Sequence, residues 1–311
     1  MRIFFATDLH AGEACFRKFL NAAKFYEAEG LIAGGDLTGK MVVPIVKTGS
    51  GAHEATYYGS TIKVRSGAEV ERLKKTLRNA GFYTISTDEA ELGKLAEEDA
   101  DRIIKENTLS VLKDWMDLAT ERLKEQGTPC IMMPGNDDPL YIDEVVNAAG
   151  HVQNGDGKVL EFLGYEVLSL AAAIQSPFNY PRDVSEEELG QKIETLAAQV
   201  KDMSKCIFNI HIPPYDTDCD IGVVYKEDLT PVIDSGELAM DHCGSTALRA
   251  AIEKYQPLLC LSGHIHESRG ASNIGRTLCI NPGSDYDQGT LKGVIINLAD
   301  DEVADYTLTN G

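Results

Sequence analysis

Seven residues in five short polar turns carry the chemistry open to this sequence: Asp8 and His10, Asp36, Asn136, His211, and His264 with His266. Four of the chain's seven histidines (His10, His211, His264 and His266) lie in these turns. Imidazole mixed with carboxylate and amide oxygen suits Mn, Fe, Co, Ni or Zn better than Mg or Ca. Two such ions about 3.5–4 Å apart clamp phosphorus for in-line attack, because they acidify a bound water and neutralise the attacking and leaving oxygens. That clamp needs a carboxylate able to bridge and a mixed oxygen and imidazole set around it, and the five turns offer both.

Something must bring five distant turns together, and each turn follows an apolar run. Ile3–Thr7 leads into Asp8-Leu9-His10, and 31–34 leads into Gly35-Asp36-Leu37. Cys130–Pro134 leads into Gly135-Asn136-Asp137-Asp138, Cys206–Ile210 into His211-Ile212-Pro213-Pro214, and Leu258–Ser262 into Gly263-His264-Ile265-His266. Short apolar runs backed by turn residues read as buried strands. Helical patterns lie between them at 13–28, 89–126, 186–203 and 245–255. Such alternation predicts an α/β fold with a buried sheet, whose ligands gather beyond the carboxyl ends of the strands. Residues two apart in extended chain share a side, so Asp8 with His10, and His264 with His266, are expected to face inward while Leu9 and Ile265 face away. Runs at 276–280, 293–298 and 302–308, with a hairpin around Gly164, predict a second sheet packed on the first.

Residues 41–87 interrupt the crossover between Asp36 and Asn136. Strand-like 61–65 and 82–86 flank a helical 68–80, which reads as a small α+β insertion. With seven Lys/Arg against three Glu, the segment is basic within a chain of net charge −20. That net charge argues against nucleic acid as a partner, since counterion release needs a basic surface. It leaves room for a small phosphorylated substrate, because bound cations dominate the local field. No apolar run approaches the roughly 20 residues of a membrane span, and no signal-like start is present, so the chain reads as cytoplasmic. Seven cysteines, with no CxxC pair and four of them in apolar runs, read as reduced core residues.

The order Asp-x-His, Gly-Asp, Gly-Asn-x-Asp, His, Gly-His-x-His resembles the calcineurin-like metallophosphoesterase superfamily. The resemblance spans the whole chain, residues 1–311, except for the 41–87 insertion. It implies a four-layer α/β/β/α sandwich and hydrolysis of a phosphate ester by a hydroxide bridging two divalent metals. It also implies that Asp8, His10 and His266 hold one metal, that Asn136, His211 and His264 hold the other, and that Asp36 bridges them. Asn281-Pro282-Gly283-Ser284 resembles a loop that steadies the metal site; a plain turn is the other reading.

One position departs from the pattern. The superfamily places a histidine at 137 to protonate the leaving group or steady the phosphoryl oxygens, and here Asp137 stands there, followed by Asp138. An ionised carboxylate beside a phosphate repels it unless its pKa is raised. Three accounts are open: a protonated Asp137 as catalytic acid, another acid such as His53 or His242, or a leaving group that needs little help. The last favours a phosphodiester or activated ester. A catalytically inactive binding scaffold is the alternative function. Lys63 and Arg65, on one side of a strand, are candidates for steering the substrate, against a solvated face. His53 is a candidate contact, against an exposed loop residue. Tyr57 and Tyr58 are candidates for stacking, against packing within the insertion, and Trp115 reads as core.

Overall fold

The computed structural model describes residues 1–95 and 97–311. The first strand, β1 (Arg2–Ala6), is apolar along its length because both of its faces are covered. Ile3 and Phe5 point into one buried cluster, whereas Phe4 and Ala6 point into another. The same division recurs at β2 (Gly30–Ala33) and β3 (Cys130–Met132): Ile32 and Ile131 join Ile3, while Leu31, Ala33, Cys130 and Met132 join Phe4.

Nine more strands complete two six-stranded sheets: β4 (Val152–Asn154), β5 (Lys158–Phe162), β6 (Tyr165–Leu170), β7 (Cys206–Ile210), β8 (Leu259–Leu261), β9 (Gly270–Ile274), β10 (Thr277–Asn281), β11 (Lys292–Ala299) and β12 (Glu302–Asn310). Their orders are β12-β11-β1-β2-β3-β4 and β9-β10-β8-β7-β6-β5. β1 to β4 pair in parallel, as do β6, β7, β8 and β10, while the edges at β11–β12, β5 and β9 are antiparallel. Ile207, Leu259, Leu261 and Ile280 meet Ile3, Phe5, Ile32 and Ile131 between the sheets.

Helices close the outer faces. α1 (Glu13–Phe25) buries Phe16, Phe19 and Leu20 against the first sheet, beside Trp115, Met116 and Leu123 of α2 (Glu97–Gln126). Trp115 stacks on Phe16 with ring centroids 4.1 Å apart and donates to Glu13 Oε2 at 2.9 Å. α3 (Glu186–Ala197) and α4 (Thr246–Tyr255) cover the second sheet through Leu189, Ile193, Leu248 and Ile252. Ser185 and Ser245 cap these two helices, each accepting a backbone N–H three residues on. The result is the α/β/β/α sandwich.

Residues 42–88 contain two strands beyond those expected. Val42–Lys47 and His53–Tyr57 join Ser60–Val64 and Tyr83–Asp88 in a four-stranded sheet. Helix Gly67–Asn79 opens on a reciprocal Ser66–Glu69 capping box and packs on that sheet around Val43, Ile45, Leu73 and Leu77. His53 therefore lies in a strand, opposite Lys47 and Val64, and not in a loop. Tyr57 and Tyr58 pack on Phe82. The long helical pattern from residue 89 divides into a short turn, Glu89–Leu92, and α2. The pattern from 186 ends at Ala197.

Candidate metal centre

The turns after β1, β2, β3, β7 and β8 open on one end of the sandwich, and their side chains converge there. Donor atoms of Asp8, His10, Asp36 and His266 all lie within 4.8 Å of one another. His266 Nε2 is 3.3 Å from Asp8 Oδ1 and 3.1 Å from His10 Nε2. Asp36 reaches two imidazoles with its two oxygens: Oδ2 lies 3.6 Å from His10 Nε2, and Oδ1 lies 3.3 Å from His211 Nε2. Asn136 Oδ1 and His264 Nδ1 are 2.9 Å apart, and the His264 ring meets the His211 ring edge-on at 5.4 Å. All seven residues thus meet in one region, with Asp36 between the His10 and His211 sides.

The inward orientation has a different origin from strand alternation. Asp8, His10, Asp36 and His264 all have left-handed backbone, with φ of 54°, 41°, 51° and 68°. Tight turns, not extended chain, aim each pair inward, while Leu9 and Ile265 are buried. Such conformations are uncommon for residues with a side chain and gather where the surroundings over-determine them. Gly135 and Gly263 permit the close approach, since a Cβ on either would run into the Asp36 or the Asp8 carboxylate. Asn281 braces the last turn by donating to the carbonyls of Gly263 and Ile265 at 3.1 and 3.0 Å, and Ser284 Oγ donates to the Asp8 carbonyl at 2.8 Å. The 281–284 loop therefore steadies the ligand turns.

The donor set fits divalent cations. His211 pairs its Nδ1 with the Gly34 carbonyl at 2.8 Å, which leaves Nε2 buried without a hydrogen bond and facing Asp36. Burial opposes ionisation, yet hydrogen bonding and charge from His266 bring Asp8 down to about 2, and charge from His211 keeps Asp36 well below the carboxylate range. Burial opposes charge on His211 as well, but Asp36 and Asp8 lift it to about 10. Burial brings His10 down to about 3 and His264 to about 4. Two carboxylates and four imidazoles in one buried space balance charge through protons that a metal would displace.

Asp137 and Asp138 divide the work at the departure from the motif. Asp138 is fully buried and structural: it accepts from the backbone of Leu37, Thr38 and Gly135 at 2.9, 2.9 and 2.8 Å. Asp137 is ion-paired with Lys40, and its Oδ2 lies 3.7 Å from His10 Nδ1. Burial and Asp36 push the Asp137 carboxyl up, with Lys40 opposing. Burial opposes the Lys40 charge, but Asp137 and Asp36 hold Lys40 protonated beyond its usual range. Lys40 also sits 4.6 Å over the Tyr180 ring. It carries no motif, and only the fold joins it to a residue 97 positions away.

A cavity of about 420 Å³ opens beside the cluster. Asp36, Lys40, Asp137, His264 and His266 line it together with Phe178, Tyr180 and Tyr225. Lys63, Arg65 and His53 are not among its lining residues. Lys63 is exposed and ion-paired with Glu54 across its strand, and Arg65 is exposed at the strand's end. Lys40 is the basic side chain at the cavity instead. His242 is held by Asp220 at 2.8 Å and also lies outside the lining.

No family model matches the chain. A curated relative, an uncharacterised protein of Methanocaldococcus jannaschii, is 30% identical over 154 residues, which are 49% of this chain and 62% of that protein. The chain thus spans less than two thirds of the relative's length. A crystal structure from Thermus thermophilus aligns over 100% of this chain and 97% of its own, with a TM-score of 0.53 and 14% identity. An archaeal phosphodiesterase aligns over the full length of both chains at a TM-score of 0.42 and 11% identity. The chain shares its two-sheet α/β architecture with the Thermus thermophilus structure. At these identities the likeness is one of architecture, and the chemistry rests on the side chains themselves.

Proposed function

We propose that this protein is a metal-dependent phosphoesterase that hydrolyses a small phosphate ester, with a phosphodiester or activated ester favoured. The observation that carries the reading is the convergence of Asp8, His10, Asp36 and His266 donor atoms within 4.8 Å, with His211, Asn136 and His264 adjoining through Asp36. Asp8, His10 and His266 would hold one divalent ion, Asn136, His211 and His264 a second, and Asp36 would serve both. Mn, Fe, Ni, Co and Zn suit these donors. Bound there, the ions supply Lewis acidity to an attacking water and to the phosphoryl oxygens.

The remaining roles belong to the chain. His211 presents a bare Nε2 because Gly34 takes its other nitrogen. Asp183 accepts from Asn136 Nδ2 at 2.6 Å, which turns the amide oxygen toward His264. Lys40 brings a cation to the cavity wall where the superfamily pattern has a histidine, and its pairing with Asp137 offsets the repulsion that a lone carboxylate would exert on phosphate. Lys40 is then a stationary positive charge beside the phosphoryl group, and Asp137 is its counter-ion. A firmly protonated ammonium is a poor proton donor, so this arrangement suits a weakly basic leaving group.

Among the described residues no helix is long and apolar enough to cross a membrane. All seven cysteines are free, which supports a reducing, cytoplasmic setting. The test is hydrolysis of bis(p-nitrophenyl) phosphate after loading with Mn, Ni or Zn, beside an Asp36→Ala control. Turnover that depends on metal and on Asp36 is expected. An inert protein that also binds no transition metal would refute the reading and favour a binding scaffold.

A further inference from the structure

The cavity holds more than a phosphate needs. Its lining includes three aromatic rings from two separate segments. Phe178 and Tyr180 stack at 5.5 Å with planes 6° apart, and Tyr225 meets Phe178 edge-on at 5.1 Å. Phe178 and Tyr225 remain 37% and 39% exposed despite touching each other. Both line the cavity, along with Ile174, Pro177 and Val223. Apolar rings left open to a cavity that ends on a polar cluster define an amphipathic ligand, with one charged end and one flat apolar end. The two ends are joined physically, because the Lys40 ammonium lies 4.6 Å over the Tyr180 ring.

The charge of the lining limits the ligand further. Lys40 is the one Lys or Arg among these lining residues, beside the acids Asp36, Asp137 and Glu267. Glu267 is engaged by the Val223 backbone N–H at 2.9 Å. One cation suits one phosphoryl group and leaves a polyphosphate or a polynucleotide backbone unmatched. A volume of 420 Å³ is in the range of small-ligand sites.

We propose that the cavity selects a phosphodiester bearing one flat aromatic substituent, which lies against Phe178, Tyr180 and Tyr225 while Lys40 faces the phosphoryl group. The proposal rests on the phosphoesterase reading above. In the reaction, a P–O bond forms to water and the P–O bond to the leaving substituent breaks. The proton lost by water passes to the leaving oxygen or to solvent. The ring is retained against the wall as part of the substituent that stays on phosphorus. A nucleobase and a simple aryl group share this chemistry.

The test uses the full-length, Mn-loaded protein and three diesters with a common 2,2,2-trifluoroethoxide leaving group, its release followed by fluorine NMR, the second substituent being methyl, benzyl or thymidine 5′-yl. KM should be roughly tenfold lower for at least one ring ester than for the methyl ester, as expected for one ring stacked on an aromatic side chain, with kcat little changed. The larger gain tells a base from a simple aryl group. In Phe178→Leu and Tyr225→Leu, which keep apolar bulk but lose the ring, the advantage, taken as the ratio of KM for the methyl ester to KM for the ring ester in the same variant, should shrink at least threefold. Equal KM values in the wild type, or a ring preference that survives both substitutions, would overturn the proposal. Should no diester turn over, the phosphoesterase reading fails, and calorimetry then decides the ring site alone. Phenyl phosphate should bind roughly tenfold more tightly than methyl phosphate to the wild type and equally to Phe178→Leu; equal binding by the wild type would refute the ring site.

Discussion

Replacing Lys40 with Met tests the role proposed for the Lys40–Asp137 pair at the cavity. The change keeps most of the stem and removes the charge. Asp137, with a side chain only 2% exposed, is left beside Asp36 without its partner, whereas the Lys40 side chain is 46% exposed. Stripping one member of a fully buried pair costs ~3–5 kcal/mol, and an exposed pair is worth ~0–1 kcal/mol. The mixed exposure here places the stability loss at about 1–3 kcal/mol. Removing one preorganised donor from a developing oxyanion costs ~10²–10³ in kcat, and the half-open position of Lys40 reduces this to roughly 10–10². The assay is kcat and KM on bis(p-nitrophenyl) phosphate at saturating Mn, with urea denaturation on the same samples. Asp137→Asn in the Lys40→Met background should restore most of the stability and little of the rate. Lys40→Arg, which keeps the charge, should retain more activity than Lys40→Met. If Lys40→Met unfolds more easily but turns over at the wild-type rate, Lys40 is a structural partner of Asp137 and the catalytic role is wrong.

Three further outcomes follow from the geometry. Asp183→Ala removes the acceptor that turns Asn136 and should weaken metal binding on the His211 side by roughly 10- to 100-fold, read by metal titration; unchanged binding would show that Asn136 needs no such support. Ile131→Ala, at the buried seam between the sheets, should cost about 2–5 kcal/mol in urea denaturation, and a cost below about 1 kcal/mol would argue against a tightly packed interface there. Glu186 accepts from Ser245 Oγ, Thr246 N and Ala247 N at 2.6, 2.8 and 3.0 Å. Burial raises its pKa, but these hydrogen bonds win and depress it. Its stabilisation is therefore present above the usual glutamate range and lost as pH falls through the lower folded value. Glu186→Gln should flatten that acid limb of a urea-midpoint profile, and an unaltered limb would contradict it.

The candidate metal ligands are legible in the sequence because each follows a short run of residues buried on both faces, and such runs are continuous in composition. Ile3–Ala6 and Cys206–Ile210 read as buried strands because polar turns, the second of them marked by Pro213 and Pro214, stand behind them. Aim was harder to read. Strand alternation gives the right inward residues, yet the left-handed backbone at Asp8, His10, Asp36 and His264 is what turns them. Val42–Lys47 was hidden by Pro44, which argues locally against a strand, although it pairs in parallel with Tyr83–Asp88. Lys40, Phe178 and Tyr225 belong to loops and Asp183 to a two-residue strand, none with a periodic signal. Their places beside the ligands come from tertiary contacts that no local pattern encodes. Lys63 and Arg65 illustrate the converse, since a basic strand in an acidic chain looks purposeful while Lys63 is spent on Glu54.

Metal content is the most direct check. The protein, purified under mild conditions and reconstituted with Mn, is passed through a desalting column and its bound metal counted by mass spectrometry. About two ions per chain are expected for the wild type, as a two-metal site requires, with a fall below about one in Asp36→Ala, where the shared carboxylate is gone. A wild-type protein that retains no transition metal, or an Asp36→Ala variant that retains as much as the wild type, would contradict the assignment of these seven residues as a metal centre.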